Sequence, residues 1–183
     1  MKKRALINID YTVDFVATDG ALTCGLPGQQ LEQANVNLTR EFISNGEFTV
    51  LAIDVHEQGD VYHPETKLFP PHNIRHTKGR DLYGALKTLY EANKEQEHVY
   101  FLDKTRYSAF AGTDLELKLH ERGITELHLI GVCTDICVLH TAVDAYNKGF
   151  DIVIHKNAVA SFNQTGHEWA LSHFEHTLGA TVI

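Results

Sequence analysis

Cys137 closes the segment Gly131-Val-Cys-Thr-Asp-Ile-Cys137, where an apolar run, Leu127 to Ile130, passes through a short turn into a helical pattern. That pattern is Val138, Leu139, Ala142, Val143, Ala145 and Tyr146, ending at Lys148-Gly149. Thr134 reads as the N-cap, which places Cys137 at the third helical position. A thiol there sits at the positive end of the helix dipole, beside free backbone N–H groups that can receive a thiolate or an oxyanion. Nucleophilic cysteines of low pKa occur in such places. The competing reading is a small apolar residue packed under a sheet. Two further segments supply partners. Arg4 to Asp10 is a strand ending in a carboxylate, and Val99 to Lys104 is a strand ending in an ammonium. In a parallel α/β sheet, ligands bind outside the carboxyl ends of the strands. Asp10, Lys104 and Cys137 would bring an acid, a base and a nucleophile to that edge. Each charge taken singly also reads as an exposed strand-end residue.

A second set of chemistry-bearing residues follows the second strand. Asp54-x-His56 ends that strand, and Glu65 and His72 lie on the loop beyond it. Two positions apart on an extended chain, Asp54 and His56 project to one side. Two imidazoles with carboxylate oxygen suit Zn²⁺, Mn²⁺ or Fe²⁺. An incidental histidine cluster is the alternative, because His63 and His76 lie nearby. The rigid Pro70-Pro71 pair would help to fix His72. Cys133 and Cys137 do not match the usual C-x₂-C zinc spacing, so Cys133 reads as a turn residue. Cys24 has no assigned role.

The elements that must position these residues read as β-α-β-loop-α-β-α-β-α-β-α-β. Strands fit Ala5–Ile9, Thr49–Asp54, Val99–Asp103, Leu127–Ile130, Asp151–His155 and Thr181–Ile183. Several are continuous apolar runs, as expected of a parallel sheet covered on both faces. The first helix spans Gln30 to Ser44, with Leu31, Ala34, Leu38 and Phe42 on its apolar face. Thr113 to Glu116 and Thr165 to Glu168 read as capping boxes, and Gly123 and Gly179 as helix C-caps. The fold expected is a three-layer α/β/α domain, residues 1–183, around a six-stranded, mainly parallel sheet. The stretch His56 to Lys78 is a long irregular loop, and such loops are usually functional. A net charge of −8 argues against nucleic acid or an anionic membrane as partner. Neither a signal-type h-region nor a membrane-length apolar run is present, and three cysteines form no disulfide framework, so a reducing cytoplasm is expected.

Five motifs, in order along nearly the whole chain, carry a family resemblance. They are Ile9 to Phe15, Asp54-Val-His56, His63 to His72, Asp103 to Phe110, and Gly131 to Cys137. The chain resembles the nicotinamidases of the isochorismatase-like cysteine hydrolase superfamily. The first, fourth and fifth motifs mark the superfamily, and the Asp-x-His…His set points to nicotinamidases within it. The resemblance implies Cys137 as nucleophile, Asp10 as its proton acceptor and Lys104 as the charge-balancing group. It implies an oxyanion hole from the amides of Cys133 and Cys137, with a cis peptide between Val132 and Cys133. It makes Asp54, His56 and His72 ligands of a divalent transition metal, zinc first with Mn or Fe as alternatives. Glu65 would be a fourth ligand, directly or through water, and His63 a bystander. Phe15, Phe69 and Tyr107 correspond to ring-contacting positions; ordinary packed aromatics are the alternative. The implied reaction converts nicotinamide to nicotinate and ammonia through a thioester, a step of NAD salvage, with pyrazinamide as a related substrate. A homo-oligomer is expected. The rival readings are another small-molecule hydrolase of the superfamily, a metal-hydroxide hydrolase with a structural Cys137, and a non-catalytic module that kept the fold.

Overall fold

The computed structural model describes residues 2–183. Six strands form one sheet: β1 (Arg4–Ile9), β2 (Phe48–Asp54), β3 (Val99–Lys104), β4 (Glu126–Val132), β5 (Asp151–Ala160) and β6 (Thr181–Val182). Their order is β3-β2-β1-β4-β5-β6, and every pairing is parallel. Seven helices cover it: α1 (Val13–Val16), α2 (Leu26–Gln30), α3 (Glu32–Ser44), α4 (Gly84–Asn93), α5 (Leu115–Glu121), α6 (Leu139–Asn147) and α7 (Gln164–His176).

Strand alternation sorts the two faces. Ala5, Ile7 and Ile9 pack with Leu115 and Leu119 of α5, Ala142 and Ala145 of α6, and Phe174 of α7. Leu6 packs on the other face with Phe42, Ala34 and Leu38 of α3. Asn8 points to that same face, where its amide donates to Asn35 and Thr39 of α3. The expected three layers are therefore present, with β1 central and buried on both sides.

The order of the sheet reverses at β1. The chain builds outward through β2 and β3, then returns to place β4 on the other side. A crevice opens at the carboxyl ends of the strands at such a switch point. Close approach of the two strands there depends on Gly131. Its φ is +113°, and a Cβ would drive into the carbonyl oxygen of Ile9, its register partner.

Several expected boundaries move. β5 runs on to Ala160, because exposed Lys156 and Asn157 interrupt its apolar pattern without ending the strand. The first long helix begins at Glu32, and Gln30 belongs to the preceding short helix α2. Asn163, not Thr165, caps α7, its side chain accepting from the Gly166 N–H. At α5 the N-cap is Asp114; Thr113 accepts from the Leu115 N–H, while Glu116 pairs with Lys148 instead of returning to Thr113. Thr134 is not an N-cap: Cys133 holds that position, and Thr134–Val138 form one π-helical turn before α6. Tyr146 is exposed instead of lying on the apolar face. Gly123 and Gly179 do follow helix ends, each with φ +63°.

Candidate active site and metal centre

Four strand ends deliver the site. Asp10 follows β1, Asp54 ends β2, Lys104 ends β3 in register with Asp54, and the π-helical turn carrying Cys137 follows β4. Asp10 and Lys104 were open to being exposed strand-end charges; both have 0% exposure. Alternation explains this for Lys104, since its neighbour Asp103 points outward and pairs with Arg75 and Arg80. Asp10 takes a left-handed φ of 55°, which a short polar side chain tolerates. Its Oδ1 accepts from the Asp54 N–H at 2.7 Å.

Lys104 Nζ lies 2.8 Å from Asp10 Oδ2, 3.5 Å from Asp54 Oδ1 and 3.6 Å from Cys137 Sγ. It also donates to the Arg106 carbonyl at 3.2 Å. Burial alone would lower the ammonium's pKa, but Asp10 and Asp54 hold it well above the usual lysine range. Burial pushes the Asp10 carboxyl up, against Lys104 and with Asp54. Burial likewise pushes the Cys137 thiol well up, and Lys104 only partly offsets it. The sequence pattern pointed to a low-pKa thiol at a helix N-terminus. In the structure Cys137 is the fourth residue of a tight turn and is 5% exposed, and its burial acts against the lowering by Lys104.

The second group meets the first through Asp54. One ligand-type atom from each of Asp54, His56, Glu65 and His72 lies within 4.8 Å of the others, and all four residues are buried. His56 Nε2 is 2.8 Å from Asp54 Oδ2; His72 Nε2 is 3.7 Å from that oxygen and 3.6 Å from Glu65 Oε2. The residues fit a divalent transition ion on two observations. His72 donates its Nδ1–H to the Pro70 carbonyl at 2.8 Å, which aims Nε2 inward, and that buried Nε2 has no hydrogen-bond partner among the described residues. This outward anchoring is how metal-ligating imidazoles are commonly oriented. Across both groups, three carboxylates (Asp10, Asp54, Glu65) face one ammonium (Lys104). Burial would lower His72, but Asp54 and Glu65 raise it to about 10, so a proton is drawn to the spot where a cation is wanted. Asp54 stays ionised: burial opposes it, and Lys104, His56 and His72 outweigh burial.

Further residues hold this loop in place. His63 is not one of the four clustered residues, yet it is buried and its ring packs edge-on against His56, centroids 4.3 Å apart. Its Nε2–H donates to the Thr105 carbonyl at 2.7 Å, and its Nδ1 accepts from the Glu65 N–H at 3.2 Å, capping the turn Pro64–Lys67 that presents Glu65. Asn73, with φ 44°, follows His72; its N–H donates to Asp14 and its side chain accepts from Thr12. Arg80 donates to the carbonyls of Ile53 and Asp54. Sequence reading passed over His63 as a bystander and gave Asp14, Asn73 and Arg80 no role. The Pro70-Pro71 pair fixes His72 through the Pro70 carbonyl.

Phe15, Phe69 and Tyr107 line one depression together with Glu65, Cys133 and Cys137. Leu22, Ile136 and Phe162 complete it and were not anticipated. The Phe15 ring lies edge-on to His72, with centroids 5.2 Å apart. The thiol lines this depression, while His72 lines a neighbouring cavity with His56; Glu65 and Phe69 border both. The peptide between Val132 and Cys133 is cis, as the resemblance implied.

Residues 4–183 match the isochorismatase domain. The chain is 70% identical over 180 residues to a protein named uncharacterized isochorismatase family protein PncA of Bacillus subtilis (strain 168), covering 98% of each. A crystal structure of nicotinamidase/pyrazinamidase PncA from Bacillus subtilis superposes with a TM-score of 0.98 at 66% identity, covering 100% of this chain and 99% of that one. Pyrazinamidase/nicotinamidase from Streptococcus mutans gives 0.96 at 53% identity, covering 98% and 99%. A match across the whole sheet, the helices on both its faces and the strand ends that bear Asp10, Lys104 and Cys137 makes this chain a member of the isochorismatase family.

Proposed function

We propose that the protein is a nicotinamidase, a cysteine-dependent amidase releasing ammonia from nicotinamide and related aromatic amides such as pyrazinamide. The observation that carries this reading is one buried cluster in which Cys137, Lys104 and Asp10 meet the Asp54, His56, Glu65, His72 group through Asp54, beside a depression lined by aromatic rings. The PncA relatives and their nicotinamidase structures support it.

An amide has a poor leaving group, and a covalent intermediate divides its hydrolysis into easier steps. As Cys137 Sγ attacks the carboxamide carbon, its proton passes to Asp10. Asp10 then delivers that proton to departing ammonia, leaving a thioester on Cys137; a water that gives its proton to Asp10 attacks that carbonyl, the C–S bond breaks, and the proton returns to sulfur as the acid leaves. Burial raises both the Asp10 carboxyl and the Cys137 thiol, which favours passing the proton from sulfur to Asp10 over forming a free thiolate. Lys104 keeps the charge of the site balanced as negative charge moves from carboxylate to sulfur. The amides of Cys133 and Cys137, on the turn after β4, donate to the tetrahedral oxyanion. Phe15, Phe69 and Tyr107 hold the ring and exclude water. Asp54, His56 and His72, with Glu65 directly or through water, would hold a divalent transition metal, zinc being our first choice, which supplies a Lewis-acid partner for the ring nitrogen and so orients the substrate. The product would enter NAD salvage. Among the described residues no helix is long and apolar enough to cross a membrane, and we place the enzyme in the cytoplasm.

Ammonia release from nicotinamide, pyrazinamide and benzamide by the purified protein tests this reading. Benzamide has the same reactive group but no ring nitrogen. A site built to bind a polar atom rejects an analogue lacking it by ~10⁴-fold in favourable cases. Hydrolysis of nicotinamide with a large kcat/KM preference over benzamide is expected. No release from either pyridine or pyrazine amide overturns the assignment.

A further inference from the structure

Cys24 and Cys133 stand 109 positions apart in sequence, with their Sγ atoms 3.2 Å apart. Both thiols are free and buried, at 4% and 3% exposure. Neither belongs to the Cys137, Asp10, Lys104 group. Cys24 lies beyond α1, and its N–H donates to the Phe15 carbonyl at 2.8 Å, so it holds the segment that presents Phe15. Cys133 opens the π-helical turn and lines the aromatic depression beside Cys137. Cys133 lines that depression, and Cys24, outside its lining, contacts Cys133. A disulfide holds its sulfurs at about 2.05 Å, so the pair must close by roughly 1 Å.

We propose that Cys24 and Cys133 form a dithiol that a hydroperoxide closes to a disulfide, locking the Phe15 segment onto the turn before Cys137. The Cys133 thiolate attacks a peroxide oxygen; the O–O bond breaks, water or alcohol departs, and a sulfenic acid forms. The Cys24 thiol then attacks that sulfur, the S–S bond forms, the S–O bond breaks and water leaves. Two thiols give up two electrons and two protons, and one peroxide is reduced. Contact with Cys24 and burial hold the Cys133 thiol well above the usual range. In a reducing compartment such bonds are transient and serve as sensors. Pulling Cys133 by roughly 1 Å shifts a turn on which the reaction depends, and misplacement on that scale can cost ~10²-fold in rate. The effect on rate rests on the proposed amidase reading; formation of the bond does not.

The bond is tested in the full-length Cys137→Ser variant, which retains only Cys24 and Cys133. The protein is treated with excess hydrogen peroxide, alkylated under denaturing conditions and mapped without reductant. A Cys24–Cys133 linked peptide that dithiothreitol removes is expected. Two alkylatable thiols, or separate sulfinic acids with no link, overturn the proposal. A second measurement treats the unmodified protein and Cys24→Ala with the dithiol oxidant diamide. The unmodified protein should lose activity about 10²-fold and regain it with dithiothreitol, while Cys24→Ala loses less than twofold of its own untreated rate. Equal loss in both overturns the locking effect.

Discussion

Lys104 carries a full positive charge with no exposure to solvent, and only Asp10 and Asp54 make that tolerable. An ammonium in this position ties two functions together. It neutralises the base that would take the Cys137 proton, and it faces a carboxylate of the metal-type cluster. Strand-end position made Asp10, Lys104 and Cys137 legible as one set, and Asp54 and His56 with the loop residues Glu65 and His72 as a second; the family resemblance supplied their expected roles. Residues acting through geometry were not legible. Asp14 and Asn73 meet across 59 positions, and His63 serves through both ring nitrogens at once. No local pattern encodes such pairings. Asp10→Asn keeps the shape of the site and leaves Lys104 its Asp54 partner, but it removes the proton acceptor. We expect kcat for nicotinamide to fall by about 10²- to 10⁴-fold, the usual worth of a positioned base. Metal content should stay at the unmodified level. Retained kcat would assign the base role elsewhere.

At the scale of elements, the sheet was readable because apolar runs too short for a helix and bounded by polar or turn residues suit strands buried on both faces. The features missed lie where backbone geometry departs from a period. The π-helical turn has no sequence signature of its own, and polar Lys156-Asn157 look like a turn although β5 continues past them. That strand also holds a buried polar pair outside the site. His128 on β4 and His155 on β5 are joined Nδ1 to Nε2 at 2.8 Å, and His128 Nε2 faces Glu126 at 3.2 Å. One arrangement of protons satisfies both contacts with neutral rings: His155 donates to His128, and His128 donates to Glu126. Burial lowers His155 to about 4, reinforced by His128, and burial also lowers His128. A histidine whose folded pKa is depressed binds fewer protons folded than unfolded over the interval between the two values. Its stability contribution is full above the unfolded value, ~6.5, and is lost as pH falls toward about 4. Urea unfolding of the metal-free protein should show stability falling across that window, by roughly 3 kcal/mol from His155 at most. His155→Gln should flatten the decline. An unchanged slope would mean that the pair does not govern it.

The whole molecule is arranged so that its longest irregular segment, between β2 and α4, is held to the sheet at the site itself. Arg75 and Arg80 pin it to Asp103, Asp14 and Thr12 pin Asn73, and His63 pins the Glu65 turn to Thr105. These polar ties leave His72 and Glu65 approaching Asp54 and His56 from the loop side, with negative charge in excess. A metal bound there would join the loop to β2 and act as a cross-link present only in the folded state. Such a ligand stabilises by RT ln(1 + [L]/Kd), about 2.7 kcal/mol at a hundredfold excess over Kd. For a chain of 183 residues this corresponds to a rise in Tm of roughly 5–10 °C on adding Zn²⁺ to chelator-treated protein. The proton that Asp54 and Glu65 draw onto His72 must leave for the imidazole to bind metal, so the gain should shrink from pH 8 to pH 6. The His56→Ala, His72→Ala double variant controls for zinc bound at other histidines. Differential scanning calorimetry of both proteins decides the matter. The shift should vanish in the double variant, and an equal shift there would place the stabilising ion somewhere other than between β2 and its loop.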